Sequence, residues 1–429
     1  MDQVEGKKTI VESDQVFNGN KKKRVVHLTF GISPSGNYVL RYHEAFLEAG
    51  LESYVLSLNS NVTGNPRLDS LGKKGFLIRK VNQRIQDFLT RKKEKNAGGF
   101  SLSLFGSDVS THEWLVKADV IYVHWILGGF LSIGGLEKIA KLNKPVIMIM
   151  HDMWNITGGC FYSFDCQKFL DHCNNCPMFP GDKEKDLSYI QFKNKFKFYH
   201  NYDNLFFVAP SKWLYKLAKE GTLTKDKPVC RIPNPLDTGF FKPFDKKVAK
   251  KILNIEGYQY VISFGANSIT SPYKGWSYLM DALKDLKENH PDLNVCLLIF
   301  GSGPNKEILD AIPFPSKFMG FIKDDYTTNL VYNASDAFVA PSMADNLPTT
   351  ILESLACGTP VVGFDVGGIP DMIDHRKNGY LAKYKDSKDL SSGLYYCLSE
   401  KMEGYLLPEF QINDIIKQHL ELMEKASKD

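Results

Sequence analysis

A chain of 429 residues is long for one hydrophobic core and comfortable for two. Its hydrophobic share of 43% and charged share of 24% are those of an ordinary soluble protein. A net charge of +4 is small for this size and does not argue for nucleic acid, and no run of about 18 apolar residues offers a transmembrane helix. Residues 1–23 lack the apolar core of a signal peptide and read as a flexible leader. The expected location is therefore the cytoplasm, where the eight cysteines would be mostly reduced.

Along the chain, residues 24–30 read as a strand, 31–37 as a turn, 38–49 as a helix and 53–58 as a second strand. The polar stretch 59–110 carries basic segments and Gly98-Gly99 and receives no assignment. Strands are expected over 120–123, 145–150, 205–209 and 229–232. Proline-rich 233–243 is the natural linker. The rhythm restarts with strands at 260–264, 295–300, 318–321, 337–340 and 360–364, and a helix near 277–289. Two blocks of such alternation predict two Rossmann-like α/β domains with parallel sheets. In sheets of this kind ligands lie outside the carboxyl ends of the strands. That rule selects Gly36 and Asn37, His124 and Trp125, His151 and Asp152, Ser211, Asn267 to Lys274, and Gly301 with its neighbours.

Residues 341–370, PSMADNLPTTILESLACGTPVVGFDVGGIP, read as loop, short helix, buried strand and glycine loop. Pro348 suits a first helical turn, Thr349 and Thr350 offer hydroxyls there, and Gly358 fits the stop. A helix N-terminus facing a loop is an anion site. With Asp345 before the helix and Glu353 on it, the segment suits a phosphate joined to a sugar. Lys274, in SPYKGW before a second helix, can neutralise a leaving diphosphate.

This segment resembles the donor-binding signature of the retaining GT-B glycosyltransferases of the GT4 or group 1 family, in which Glu, seven residues and Glu recur. Asp345 stands in the first place here, a conservative departure. The resemblance implies a GT-B fold, with an acceptor-side domain over 24–235, a donor domain over 236–408, and a tail over 409–429 that crosses back to the first domain. It implies a nucleotide-sugar donor, UDP- or GDP-linked, held by Gly36, Asn267, Ser268, Lys274, Gly301, Phe321, Asp345, Asn346, Leu347, Pro348, Thr349 and Glu353. His151, Lys274, Asp345 and Glu353 take the catalytic roles, with Asp152 able to orient His151, and no cofactor is required for catalysis. The family usually carries an arginine about five residues before the lysine. Ile269 stands there, so neutral donors or a cation from elsewhere must replace it.

Cys160, Cys166, Cys173 and Cys176, ending in C-x-x-C, resemble a structural zinc site, with His172 as an alternative ligand. A reduced cysteine loop and a disulfide pair are the bland readings. A similar HDxW and cysteine segment occurs in a subset of bacterial polysaccharide glycosyltransferases of the colanic-acid type. That implies a glycan or lipid-linked acceptor and leaves room for peripheral contact with the inner face of the plasma membrane. Residues 192–199, FKNKFKFY, offer such a contact, or equally a core helix with a wet lysine face. A sugar-nucleotide 2-epimerase on the same fold and a non-catalytic binding protein are the rival functions.

Overall fold

The structure, a computed structural model, describes residues 22–33, 38–62, 64–94, 98–179, 181, 184–303 and 306–428. The leader thus lies almost wholly outside the described residues, as does Gly36. Seven parallel strands form the first sheet: β1 (Arg24–Ile32), β2 (Glu52–Ser60), β3 (Leu68–Ser70), β4 (Val120–Val123), β5 (Val146–Ile149), β6 (Leu205–Ala209) and β7 (Val229–Arg231), in the order β3-β2-β1-β4-β5-β6-β7. Its helices are α1 (Tyr38–Glu48), α2 (Gly72–Leu89), α3 (Glu113–Lys117), α4 (Ile133–Ala140), α5 (Leu187–Asn201) and α6 (Lys212–Glu220). Strands β4, β5 and β6 read VIYV, VIMI and LFFVA and are buried throughout. Such runs need apolar cover on both faces, which helices supply only over a parallel sheet.

The second sheet holds β8 (Tyr260–Ser268), β9 (Val295–Ser302), β10 (Ser316–Phe318), β11 (Ala337–Ala340), β12 (Val361–Phe364) and β13 (Gly379–Ala382), in the order β10-β9-β8-β11-β12-β13. Around it stand α7 (Lys246–Ile252), α8 (Trp276–Asn289), α9 (Lys306–Asp310), α10 (Asp325–Ala334), α11 (Thr349–Ala356) and α12 (Ser387–Ser399). The last helix, α13 (Ile412–Ala426), returns to the first sheet. Its Ile415, Ile416 and Met423 are buried with Val25, Phe46 and Tyr122. Strand order reverses between β1 and β4 in one sheet and between β8 and β11 in the other, which is where such folds leave room for a ligand.

Two segments differ from expectation. The unassigned stretch 59–110 holds β3 and the 18-residue α2. That helix buries only Gly75 and Asn82, and its Phe76, Leu77, Val81 and Phe88 face outward rather than into the core. Residues 192–199 lie in α5, where Phe192, Lys195, Phe198 and Tyr199 are all buried. Of the two readings offered, the segment is the core helix, with Lys193 and Lys197 on its exposed face, and not the membrane contact.

Candidate functional site

A cavity of about 560 Å³ opens at the carboxyl ends of β8 and β9. Asn267 and Ser268 line it from the end of β8, Gly301 from β9, and Ser33 from the first domain. Helix α11 starts at its wall. The residue before it, Pro348, offers no side-chain cap, and Thr349 and Thr350 line the space. The first backbone N–H groups of a helix lack partners within it, so this start presents unpaired donors and a positive dipole end.

Lys274 and Asp345 are brought together by a tight loop contact. Gly275 sits at φ +62°, where a side chain would collide with the Pro341 carbonyl. The close approach aligns the two segments, and Lys274 Nζ meets Asp345 Oδ2 at 2.7 Å. Ser342 Oγ donates to the same oxygen at 3.3 Å. Lys274 lines the cavity and Asp345 sits behind it, 8% exposed.

Glu353 lies on the cavity wall and is 4% exposed. Its Oε1 accepts from Arg41 Nη2 at 2.8 Å and its Oε2 from the Tyr332 hydroxyl at 3.0 Å. Arg41 comes from α1, in the other domain, and also lies 3.7 Å from Asp325. Burial opposes its charge, but Glu353 outweighs burial and raises the guanidinium pKa. A carboxylate has about four lone-pair positions, so two remain on Glu353 for a ligand's hydroxyls. Arg41 is the residue that sequence reasoning missed; it pairs with Glu353 and Asp325 and is not among the residues lining the cavity, so it does not itself stand in for the absent arginine. One signal was available: at helical spacing Arg41 shares a face with Tyr38 and Ala45, an uncommon place for a charge.

Not every expected donor contact lies in this cavity. Phe321, 54% exposed, does line it and offers a flat ring. Leu347 instead packs into the second domain's core. Asn346 works as a clasp between domains. Its amide donates to the carbonyls of Met150 at 2.9 Å and His151 at 3.2 Å, and its Oδ1 accepts from Ser211 Oγ at 2.6 Å. Both amide hydrogens are thereby used on the protein itself.

His151, just past β5, belongs to a neighbouring small cavity with His124, Trp125 and Asp152. It ends a row of imidazoles. His27 Nδ1 meets His124 Nε2 at 2.9 Å, and His124 Nδ1 meets His151 Nε2 at 3.2 Å. Burial drives the His151 pKa down to about 3 and those of His27 and His124 well below the usual value, so all three are neutral near pH 7. Nε2 of His27 is buried without a partner. An unfilled acceptor costs less than a stranded N–H, so the protons sit on Nδ1 along the whole row. The expected orienting role of Asp152 is corrected: it accepts from the Trp154 N–H at 2.7 Å, and His124 is what meets His151. The structure therefore groups Lys274, Asp345 and Glu353 at one cavity and sets His151 beside them, tied in through Asn346.

Cys160, Cys166, Cys173 and Cys176 line one narrow space under this loop. Among the described residues, no three His, Cys, Asp or Glu side chains stand as a metal-binding group. The loop is held by the protein's own bonds: Gly158 N–H donates to Cys173 Sγ at 3.1 Å, and the ammonium of Lys195 donates to the carbonyls of Trp154 and Thr157. Lys195 is fully buried and lies 3.5 Å from the Trp154 ring centre. Burial pushes its pKa down to about 7.

Residues 259–400 match the family described as Glycosyl transferases group 1. An uncharacterised glycosyltransferase of Haemophilus influenzae is 29% identical over 126 residues, which are 28% of this chain and 35% of that protein. The D-inositol 3-phosphate glycosyltransferase of Segniliparus rotundus is 28% identical over 160 residues, 35% of this chain and 34% of that protein. The chain thus spans about a third of the length of these curated relatives. Among solved structures, Anabaena HepE in complex with UDP-glucose covers 94% of this chain and 99% of its own, with a TM-score of 0.60 and 16% identity. The two facing parallel-sheet domains thus have the fold of the GT-B glycosyltransferases along nearly the whole chain.

Proposed function

We propose that this chain is a retaining glycosyltransferase that moves a sugar from a nucleotide-sugar donor onto a glycan acceptor. The observation that carries this reading is the cavity shared by Lys274, Glu353 and the uncapped start of α11. A cation and a helix N-terminus favour a diphosphate, and a buried carboxylate with free lone pairs favours ribose hydroxyls. Departure of a nucleoside diphosphate builds negative charge, which Lys274 and the α11 N–H groups stabilise most as the bond breaks. Sugar C1 gains oxocarbenium character, and the acceptor hydroxyl attacks on the face the leaving group vacates, so configuration is retained. The leaving group's proton demand is met by the acceptor hydroxyl itself. Phe321 offers its ring to the base, and UDP, the nucleotide seen in the HepE structure, is the first donor base to try.

The finer reading is transfer to a lipid-linked acceptor in the synthesis of a bacterial surface polysaccharide, at the cytoplasmic face of the membrane. The HDMW segment and cysteine loop support it by resemblance. Among the described residues no helix is long and apolar enough to cross a membrane, so such contact would be peripheral. Thermal melting with a panel of nucleotides and nucleotide sugars tests the core of the proposal, since a ligand that binds only the folded state raises its stability. A marked rise with one nucleoside diphosphate sugar and little with unrelated nucleotides is expected. A flat response across UDP, GDP and their sugars would sink it.

A further inference from the structure

Helix α2 turns an unusual surface to water. Phe76, Leu77, Val81 and Phe88 are 50%, 64%, 46% and 61% exposed. At about 100° per residue, Leu77, Val81 and Phe88 fall within about 40° of one another, a stripe about 16 Å long. Exposed cations flank it on both sides, with Lys74 on one edge and Lys73, Lys80 and Arg84 on the other. Arg91, just beyond the helix, lies over the Phe88 ring at 4.5 Å. Asp87 is the one acid within the helix.

The opposite face of α2 leads to the cleft. Asn82, with its amide turned to satisfy both neighbours, donates to the Phe105 carbonyl at 3.3 Å and accepts from the Gly129 N–H at 3.2 Å. Arg79 lies over Phe30 at 5.2 Å, and Phe30 meets Trp125 edge-on at 5.3 Å. Trp125 in turn lines the small cavity with His151.

We propose that the outer face of α2 docks on a lipid bilayer carrying anionic headgroups. An apolar stripe bordered by lysine and arginine fits an interface where side chains enter the acyl boundary while their cationic neighbours meet phosphates. Only Asp87 offsets these cations within the helix, so the face is charged to meet an anionic surface. The proposal deepens the lipid-linked reading by naming the surface, and it sets on the bilayer the domain whose cleft wall carries Trp125 and His151.

Co-flotation of the full chain with vesicles tests it without any sugar transfer. The protein is expected to float with phosphatidylcholine vesicles containing phosphatidylglycerol, and about tenfold less with phosphatidylcholine alone or at high salt. Leu77→Gln/Val81→Gln/Phe88→Gln and, separately, Lys73→Glu/Lys80→Glu/Arg84→Glu should each lower the bound fraction about tenfold or more, while Val81→Ile keeps it. These side chains are exposed, so unchanged melting is expected. If the triple glutamine variant misfolds, the charge variant decides. Equal flotation of wild type and both variants would overturn the proposal. So would a wild-type dimer that the glutamine variant dissociates, with no vesicle binding, because the stripe would then be a contact between copies. A chain that responds to nucleotide sugars but never floats overturns this surface alone. One that floats but binds no nucleotide sugar overturns the glycosyltransferase reading alone.

Discussion

Glu353 and Arg41 hold one another inside the cleft, so a substitution at either one reports two effects. Glu353→Ala removes an acceptor for the donor and strands a buried guanidinium. The second effect costs about 3–5 kcal/mol of stability, as breaking a buried pair from one side does. The first is expected to weaken nucleotide binding by about 1.5–3 kcal/mol. Arg41→Leu/Glu353→Leu separates them: melting should recover while nucleotide affinity measured by calorimetry stays low. Wild-type affinity in that double variant would remove Glu353 from the site. At Lys274 the expectation concerns rate. Lys274→Ala should lower kcat more than donor affinity, because charge on the diphosphate peaks in the transition state. A raised KM with unaltered kcat would make it a ground-state binding group. Lys274, Asp345 and Glu353 were legible in the sequence because local order carries them: a turn before a helix, and a loop, helix and strand in succession. Arg41 was not, since its partner lies 312 positions away and only the closed fold joins them.

Among the elements, the interior of β1 and the ends of β4 and β5 bring one row of neutral histidines to the cleft wall. This has a consequence for pH. Burial lowers the His151 and His419 pKa values from 6.5 to about 3, and those of His27 and His124 fall well below the ordinary value. The unfolded chain takes up these protons below about pH 6.5, while the folded chain refuses them until far lower. Their contribution is therefore full above about 6.5 and is lost as pH falls towards 3. Chemical unfolding followed across that window should show stability dropping, with a shallower slope in His124→Phe. An identical slope would mean that the row protonates in place. Nitrogen chemical shifts should find the His151 proton on Nδ1. Strand ends were readable from the sequence, because β-branched runs stop at polar residues. The row itself was not, since His27 lies inside β1 and its meeting with His124 depends on the pairing of β1 with β4. Helix α2 escaped notice because Gly72 and Gly75 weaken its first turn and basic residues interrupt its apolar ones.

Across the whole molecule, the cavity is complete only while the two domains stay together. Asn346 spans them with three hydrogen bonds, and Lys212 N–H adds a fourth to Asp371 at 2.5 Å. Asn346→Ala should loosen this clasp and widen the solution scattering envelope without donor, while saturating donor should draw the domains back. Scattering curves that coincide for wild type and variant would show that the clasp does not hold them. The two sheets were foreseen from the doubled alternation of strand and helix. The clasp was not, because an asparagine in a loop gives no sign of which carbonyls it will reach.

The chain passes between the domains twice. It leaves the first core at Ile232 and joins the second at Leu236, then leaves the second at Phe410 and rejoins the first at Ile415. Arg231 and Glu409 pair across these two passages, which lie side by side. A protease that cut only at 233–235 would therefore free nothing. The C-terminal fragment would still carry α13, wedged among Val25, Phe46 and Tyr122, and the two pieces should elute together from a sizing column until denaturant is added.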